Sequence, residues 1–377
     1  MSHYQPNPVL IQYLINQIEQ SDSSCIPFSQ FMGTCLYHAT DGYYMSERPK
    51  IGRNGDFYTS SNIGSIMAEM LAVYVERRTR ERGWDADSIT LVEWGAGTGR
   101  LALQMSQRLK YDRFEGYKHV IVERSPHHQR LVSELLGGER VPMTWWDEQV
   151  FEQEAPTRRL FVVANELLDA FPVERIRHHD GRYEQCYVKW DEEKEQFMPL
   201  WLPATEDILL WLEEHEIQLV DQQIFDAGIA MTAWMTSILS QVGEAEFIFI
   251  DYGDGTNELT AAHRMEGTLM CYHRHQAHDN PWIHIGEQDI TSMVDFDICQ
   301  RVAKQVNAAI IGYMTQKSFL LEQGLLNELQ QHTNPDPFSA EARRNRAIRQ
   351  LLLSDQMSER FHVLLLSCGS ESEIGIL

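Results

Sequence analysis

The chain of 377 residues has no apolar run long enough to cross a membrane. Its longer apolar runs, such as Ile208–Leu212, are far shorter than the roughly 20 residues that a transmembrane helix needs. The N-terminus also lacks the basic segment followed by an apolar segment that is typical of a secretory signal. These absences predict a chain that is neither secreted nor embedded in a membrane, and we expect a cytoplasmic location.

Cysteine is scarce, and no two cysteines form a C-x-x-C pair. The spacing excludes a recognisable zinc or disulfide framework and favours a reduced interior. A histidine-rich stretch could suggest a metal site, but its spacing matches no known zinc pattern. We therefore expect a polar loop and no metal there; the stretch contains His273, His275, His278 and Asp279.

Positive charge is also under-represented, with 32 Lys and Arg against 55 Asp and Glu, and the net charge is -23. This balance argues against sequence-independent binding to nucleic acid or to an anionic membrane. It would suit a basic partner, or it serves solubility alone. Four arginines form a local exception, which we interpret as a solvated helix face, with a partner-docking patch as the alternative; they are Arg343, Arg344, Arg346 and Arg349.

The most informative segment present is Leu91–Arg100, in which an acidic residue precedes three alternating glycines. The flanking patterns predict a strand over 89–93 and a helix over 101–109, so the glycines occupy a strand-to-helix turn. Glycine lets the backbone adopt positive φ and approach a ligand closely. Glu93 would repel a phosphate but tolerate an ammonium or a sulfonium group. The E-x-G-x-G-x-G spacing, with Arg100 where G-x-G-x-x-G would place glycine, favours S-adenosylmethionine over NAD.

Two later strands also end in polar residues. The predicted strand 119–123 ends in Glu123, which could accept both hydroxyls of a ribose, and Ser125-Pro126 begins the next helix. The apolar run from residue 160 stops at Asn165-Glu166, where open α/β sheets bind ligands. The alternatives are a surface glutamate beside a helix cap, a capping role for Asn165, and a solvated helix position for Asp169.

The periodicity predicts helices, then alternating strands and helices, and then an insertion before the sheet resumes. A long loop at 37–62, rich in aromatics and glycine, is typical of a lid. The predicted helices cover 8–20, 28–35, 63–82, 100–109 and 126–136, and residues 205–241 should be mainly helical. The predicted strands cover 89–93, 119–123, 141–145, 160–164, 246–253, 268–272 and 361–366, with a hairpin formed by 173–177 and 183–190.

With these segments in order, the chain resembles the MidA-like family of S-adenosylmethionine-dependent methyltransferases, whose mitochondrial members methylate an arginine of a respiratory complex I subunit and assist assembly of that complex. The resemblance rests on Gly55–Ser60, Val92–Gly99, Val122–Pro126, Asn165–Pro172, Asp251–Gly253, Asp289–Thr291 and Val294–Phe296. The chain departs from the family pattern at Asn62, Asp254 and His362, which weakens inference about the acceptor.

The resemblance implies an α/β fold, a class I methyltransferase with a Rossmann-like, doubly wound sheet. We expect an N-terminal helical and lid region over 1–88, a first part of the cofactor-binding core over 89–172, an inserted hairpin and helical subdomain over 173–241, and a second part of the core over 242–377.

In this interpretation S-adenosylmethionine contacts the ends of four strands. We expect its methionine part along Glu93, Gly95, Ala96, Gly97 and Gly99, its ribose on Glu123, its adenine near Trp146 and Asp147, and its methyl group towards Asn165. The candidate catalytic residues are Glu166, Asp169 and Asp251, which could orient an arginine or, for a hydroxyl acceptor, supply a general base. The candidate lid residues are Asp56, Phe57, Thr59 and Ser60.

Two rival functions differ in their requirements. A nicotinamide-dependent oxidoreductase would need a glycine at position 100 and room for a pyrophosphate beside Glu93. A non-catalytic assembly protein would retain the fold as a scaffold. The acceptor, protein or small molecule, and the existence of a homodimer are left open by the sequence.

Overall fold

The structure is a computed structural model that describes residues 7–47, 50, 65–330, 336, 338–353 and 360–369. The predicted lid residues Asp56, Phe57, Thr59 and Ser60 lie outside these ranges. The chain divides into two compact units. The first consists of Met1–Phe57, Leu168–Met235 and Asp254–Val302, and the second of Tyr58–Leu167, Thr236–Gly253 and Ala303–Leu377. Each unit is assembled from three separate stretches of the chain, whereas the sequence predicted four consecutive segments.

The helices are short to medium in length, and none in the described ranges is long and apolar enough to cross a bilayer. In chain order they are α1 (Pro8–Gln20), α2 (Phe28–Tyr37), α3 (Ile66–Glu81), α4 (Arg100–Tyr111), α5 (Pro126–Gly138), α6 (Glu148–Glu154), α7 (Glu206–Glu214), α8 (Ile229–Ser240), α9 (Thr256–Leu259), α10 (Phe296–Gln305), α11 (Gln316–Glu322) and α12 (Ala340–Leu353).

The strands belong to three sheets. They are β1 (Ile26–Pro27), β2 (Ile89–Trp94), β3 (Lys118–Val122), β4 (Thr144–Trp146), β5 (Arg159–Asn165), β6 (Glu174–His179), β7 (Arg182–Asp191), β8 (Gln196–Pro203), β9 (Ile224–Ala227), β10 (Glu244–Asp254), β11 (Met270–His273), β12 (Gln276–His278), β13 (Asp289–Thr291), β14 (Val294–Asp295), β15 (Ala309–Thr315) and β16 (Phe361–Cys368).

The second unit contains the large sheet, in the order β15-β16-β10-β5-β2-β3-β4. The strands from β10 to β4 are parallel, as the alternating pattern predicted. The whole of β2 is buried, which is typical of a parallel strand covered by helices on both faces. β16 runs antiparallel to both β10 and β15 and lies between them. The doubly wound class I architecture is therefore confirmed.

Helices cover one face of this sheet with apolar side chains. There α3, α4, α11 and α12 pack against Phe161, Val163, Ile248 and Ile250. Further along the same face, Val132 and Leu136 of α5 pack with Ile121 of β3. The predicted start of α5 is confirmed, since the Ser125 hydroxyl accepts from the His128 N–H at 3.2 Å. Such packing fixes the ends of the parallel strands in space.

The first unit is built on antiparallel pairs. β7 pairs with β1, β6 and β8, and β6 pairs with β9, while β11 lies between β12 and β13 in a smaller sheet. The predicted hairpin is confirmed as β6 and β7. Helices α1 and α2 bury Leu10, Phe28 and Phe31 in this unit's core, and Tyr43 of the predicted lid segment packs there with an exposed fraction of 1%.

Several predicted elements differ from the observed ones. The strand predicted at 141–145 begins only at Thr144. Residues 205–241 are mainly helical, as predicted, but the four residues of β9 lie between helices α7 and α8 and were not predicted. β8, β12, β13 and β15 were not predicted. The predicted solvated arginine face lies on α12, but Arg344 is bound there by Glu69 at 2.7 Å, while Arg343, Arg346 and Arg349 are exposed.

Candidate cofactor and active site

The glycine turn after β2 adopts the backbone conformation that its sequence predicted. The φ angles of Gly95, Gly97 and Gly99 are 74°, 54° and 76°, all in the left-handed region. The Gly95 N–H donates to the Val122 carbonyl at 2.8 Å, which joins the turn to the neighbouring strand. The turn leads directly into α4, whose first N–H groups face outward from its N-terminus.

Packing also requires glycine at two of these positions. A Cβ at Gly95 would lie 2.8 Å from Cδ1 of Leu167, and one at Gly99 would lie 3.2 Å from Cγ2 of Val132. The motif predicted that these glycines form a tight turn and let the backbone approach a ligand. The structure adds that the turn is closely packed against two other segments of the second unit.

Glu123 lies directly after β3 and faces the glycine turn. Its Oε2 accepts from the Gly97 N–H at 3.0 Å, and its Oε1 accepts from the Ser125 N–H at 2.8 Å. Burial raises the pKa of this carboxyl, while the N–H groups of Ser125 and Gly97 oppose the rise. The carboxylate is therefore fixed in position beside the glycine turn.

Glu93 is almost completely buried on β2, with 4% of its surface exposed. Burial and then the charge of Glu123 raise the pKa of its carboxyl to about 8, opposed by the backbone N–H of Ala102. Its Oε2 has no hydrogen-bond partner among the described residues. A cationic ligand would favour the ionised form of this buried carboxyl and would donate the hydrogen bond that Oε2 lacks.

Trp146 is the last residue of β4, the strand beside β3, and Asp147 follows it. The Trp146 ring is buried and meets the Phe151 ring edge-on, with centroids 6.3 Å apart. Asp147 caps α6, since its Oδ1 accepts from the Val150 N–H at 2.8 Å. The structure thus gives both residues a local structural role at the strand end where we expected adenine.

The polar residues at the end of β5 are held in an unusual conformation. Glu166 has a φ of 53°, which is uncommon for a residue with a side chain. Its N–H donates to the Ile250 carbonyl at 2.8 Å, and the Asn165 amide donates to its carboxylate at 3.1 Å. Asn165 Oδ1 is buried and has no hydrogen-bond partner in the described part of the chain. Strained backbone of this kind is common at active sites.

Asp251 lies beside this turn and is fully buried. Its two oxygens accept from the Leu167 N–H at 3.1 Å and the Tyr252 N–H at 2.9 Å. The carboxylate therefore connects the end of β10 to the turn after β5. This geometry is that of a group that positions its neighbours.

Asp169 belongs to the first unit, where 7% of its surface is exposed. Its carbonyl accepts from the Ser292 N–H at 3.0 Å. Nearby, the Tyr44 hydroxyl donates to Asp289 at 2.8 Å, and burial followed by the charge of Asp289 raises the pKa of Tyr44. The Tyr44–Asp289 hydrogen bond was not predicted, although Tyr44 belongs to the aromatic 37–62 segment and Asp289 to the Asp289–Thr291 motif.

The predicted histidine-rich loop forms no metal-ligand group in the described residues. The His273 ring stacks on His284 with centroids 4.1 Å apart. Among the described residues, possible ligand atoms lie within 4.8 Å of one another in a surface group formed by His179, Asp180 and Asp221.

Comparisons with known proteins agree with this geometry. Residues 70–314 match the model of a family of S-adenosyl-L-methionine-dependent methyltransferases. The chain is 25% identical to "Protein arginine methyltransferase NDUFAF7, mitochondrial" of Danio rerio, over 94% of this chain and 86% of that protein. It is also 25% identical to the protein of the same name from Rattus norvegicus, over 97% and 86%.

Two solved structures from Burkholderia thailandensis share the whole fold. One, bound to S-adenosyl-homocysteine, has a TM-score of 0.83 and 27% identity, and the alignment covers 97% of this chain and 95% of that one. The other, a native crystal structure, has a TM-score of 0.81 and 26% identity over the same shares. Because the family model matches well over half of the chain, the protein belongs to the S-adenosyl-L-methionine-dependent methyltransferases, and S-adenosyl-L-methionine is its cofactor.

Proposed function

We propose that this methyltransferase acts on an arginine side chain of a protein acceptor, with Glu166 as its principal catalytic residue. The observation that carries the proposal is the positive φ of Glu166, which holds a half-buried carboxylate at the end of β5. The names of the curated relatives, which are protein arginine methyltransferases, support the same acceptor class.

The cofactor assignment to individual residues is part of this proposal. S-adenosyl-L-methionine supplies an electrophilic methyl group on a sulfonium sulfur. Two buried oxygens that have no hydrogen-bond partner within the described ranges, Glu93 Oε2 and Asn165 Oδ1, lie at the ends of adjacent parallel strands, which fits a polar ligand between them. Glu93 would bind the ammonium group beside the glycine turn, Glu123 the ribose hydroxyls, and Trp146 with Asp147 the adenine.

The acceptor requires a carboxylate because an arginine guanidinium stays protonated in water. Glu166 would form a charge-assisted hydrogen bond with it and orient one nitrogen towards the methyl group. As the new nitrogen–carbon bond forms and the sulfur–carbon bond breaks, the nitrogen loses one proton, which Glu166 would accept and pass to solvent. Alignment of the nucleophile should supply much of the rate.

Neighbouring groups support Glu166 in this scheme. Asn165 donates to its carboxylate, and Asp251 fixes the following turn through the Leu167 N–H. We assign both to positioning, and we retain Asp169 as a further candidate for binding the acceptor. Closure of Asp56, Phe57, Thr59 and Ser60 over the site, a homodimer and a cytoplasmic location remain predictions, and the curated relatives are named as mitochondrial.

The proposal is tested by incubating the purified protein and labelled S-adenosyl-L-methionine with a demethylated cell lysate and identifying the product by mass spectrometry. We expect a labelled protein whose modified residue is arginine. A labelled small molecule without labelled protein would contradict the acceptor class.

The role of Glu166 is tested with Glu166→Gln, which should lower the methylation rate roughly 100-fold. Affinity for S-adenosyl-homocysteine should change little, because the cofactor is bound by other residues. Glu148→Gln, at an exposed carboxylate paired with Arg124, is the matched control and should leave the rate unchanged. An unchanged rate in Glu166→Gln would show that this carboxylate is not catalytic.

A further inference from the structure

Two helices expose surfaces of opposite charge, and each surface has exposed apolar side chains on it or beside it. One helix is α12, which carries a basic stripe on a chain whose net charge is -23. The other is α7, whose exposed side is acidic. Neither surface has a role in the proposed chemistry. Exposed apolar residues next to charged ones are typical of a surface that meets another protein.

The basic stripe consists of Arg343, Arg346 and Arg349, which are all exposed. Their spacing of three residues places them along one side of the helix, over about 9 Å of its length. Arg344 faces the protein instead, where it binds Glu69 at 2.7 Å. The inner side of α12 is therefore anchored, and the stripe is directed outward.

Apolar side chains lie at the start of α12 and next to it. Phe338 is two residues before the helix and has an exposed fraction of 71%. Leu329 has an exposed fraction of 41%, and its neighbour Gln330 forms two hydrogen bonds with Asn345 of the helix, at 3.0 and 2.7 Å. Water contacts both apolar groups in a single chain, which favours a partner that covers them.

Helix α7 presents the complementary pattern. Its exposed side combines carboxylates with two leucines; these residues are Glu206, Asp207, Leu209, Leu210, Glu213 and Glu214. The two leucines have exposed fractions of 42% and 56%. Glu206 and Glu213 are about two turns apart, or about 10 Å along the helix, which is close to the length of the basic stripe.

We propose that α7 of one copy of this protein docks against α12 of a second copy, so that the chain associates with itself through these two surfaces. In this contact the guanidinium groups form charge-assisted hydrogen bonds with the glutamates, and the alkyl stems of the arginines cover the leucines. A second copy supplies carboxylates and leucines together, whereas a nucleic acid offers negative charge without apolar side chains.

The high net charge does not prevent this contact. At physiological salt, exposed charges more than about 8 Å apart are largely screened from one another. The complementary charges at the contact are much closer than that, so local complementarity decides whether two copies associate.

The first experiment measures the unaltered protein by sedimentation equilibrium. A contact between two short helices is small, so we expect association at roughly micromolar concentrations. A head-to-tail contact either closes or extends the assembly, and the quantity measured is therefore the weight-average mass. This mass should rise with concentration towards at least twice that of one chain. A mass that stays at one chain up to about 200 µM would overturn the proposal.

The second experiment reverses charge on each helix. The α12 variant combines Arg343→Glu, Arg346→Glu and Arg349→Glu, and the α7 variant combines Glu206→Lys, Glu213→Lys and Glu214→Lys. Each variant alone should associate at least about tenfold more weakly, because like charges then face each other. An equal mixture of the two should associate again, since every contact between unlike copies pairs opposite charges.

The control variant combines Lys110→Glu, Lys118→Glu and Arg140→Glu at exposed positions of the second unit. It changes the net charge as much as the α12 variant does and should leave association nearly unchanged. Binding of S-adenosyl-homocysteine and the melting temperature show that each variant is folded.

Three results would overturn the contact. Equal losses in the control and the α12 variant would mean that net charge alone governs association. A loss in the α12 variant without one in the α7 variant would mean that the arginines bind a different acidic surface. Failure of the mixture to associate would mean that the two helices do not meet.

Discussion

At the scale of single residues, the glycine turn combines two requirements that the sequence could not separate. Gly95 and Gly99 are confined by Leu167 and Val132, whereas Gly97 donates its N–H to Glu123. All three have positive φ, so the motif is readable from sequence as a turn. Which glycine serves packing and which contacts a ligand-binding side chain depends on neighbours distant in the chain.

Gly97→Val should abolish cofactor binding. A β-branched side chain at positive φ costs about 1–3 kcal/mol and would enter the space beside Glu123. We expect the affinity for S-adenosyl-homocysteine, measured by calorimetry, to fall more than about 100-fold. Gly181→Val is the matched control, because Gly181 has a φ of 76° in the β6–β7 turn and a Cβ there meets nothing within 4 Å. A folded Gly97→Val protein with unchanged affinity would contradict the cofactor site.

Glu93 should make stability depend on pH in the protein without cofactor. Its folded pKa is about 8 against an ordinary value of 4.5, so the folded state holds this proton more tightly. Ionisation of Glu93 therefore lowers the free energy of unfolding, and this loss of stability grows as pH rises from 4.5 to about 8. Glu93→Gln should raise the melting temperature relative to wild type by a few degrees more at pH 9 than at pH 5, with each kcal/mol corresponding to roughly 2–4 °C.

The control for this pH dependence is Glu115→Gln, at an exposed carboxylate, which should shift the melting temperature equally at both pH values. If the melting temperature of Glu93→Gln relative to wild type instead falls as pH rises, the raised pKa of a buried Glu93 is contradicted. The same variant should bind S-adenosyl-homocysteine more weakly, since glutamine carries no charge for the ammonium group.

At the scale of elements, a buried ion pair links α3 to the large sheet. Glu246 of β10 is fully buried and accepts from the Arg78 Nε at 2.9 Å and the Tyr74 hydroxyl at 2.9 Å. Glu244, two residues earlier on the same strand, forms an exposed pair with Arg159 at 2.9 Å. The two glutamates therefore each bind an arginine, Glu246 in the buried interior, where it also accepts from Arg82, and Glu244 at the surface.

Glu246→Ala should destabilise the protein by about 3–5 kcal/mol, because it leaves the Arg78 cation without its buried partner. Glu244→Ala should cost no more than about 1 kcal/mol, as is usual for exposed pairs. Urea unfolding of both variants measures the difference. Equal midpoints for the two variants would mean that the buried pair adds nothing beyond an exposed one.

Prediction of elements succeeded where periodicity is strong and failed where pairing partners are distant. Helix α1 and strand β2 follow directly from local patterns. β9 was missed within a stretch predicted as mainly helical. Its four residues pair with β6, and its own Asp226 accepts hydrogen bonds from Arg175 and from the N–H of Thr268. These partners are distant in the chain, so local periodicity does not indicate the strand. β8 contains Pro199 and Pro203 and is ordered by its pairing with β7.

At the scale of the whole molecule, the net charge of -23 should make stability depend on salt. Excess like charge destabilises a compact chain, and salt screens it. Raising NaCl from about 10 to about 150 mM shortens the screening length from about 30 to about 8 Å and should raise the melting temperature. Choline chloride at equal ionic strength should give the same rise, whereas a fall would mean that ion pairs outweigh repulsion.

The candidate site was predictable to the extent that its determinants are contiguous. The sequence determined the glycine turn after β2, the acid after β3 and the polar end of β5, because a strand, a turn and a helix cap each depend on a few neighbouring residues. Only the tertiary structure decided which carboxyls are buried and that β16 lies antiparallel between β10 and β15. Those outcomes depend on contacts between segments far apart in the chain, for which local periodicity carries no signal.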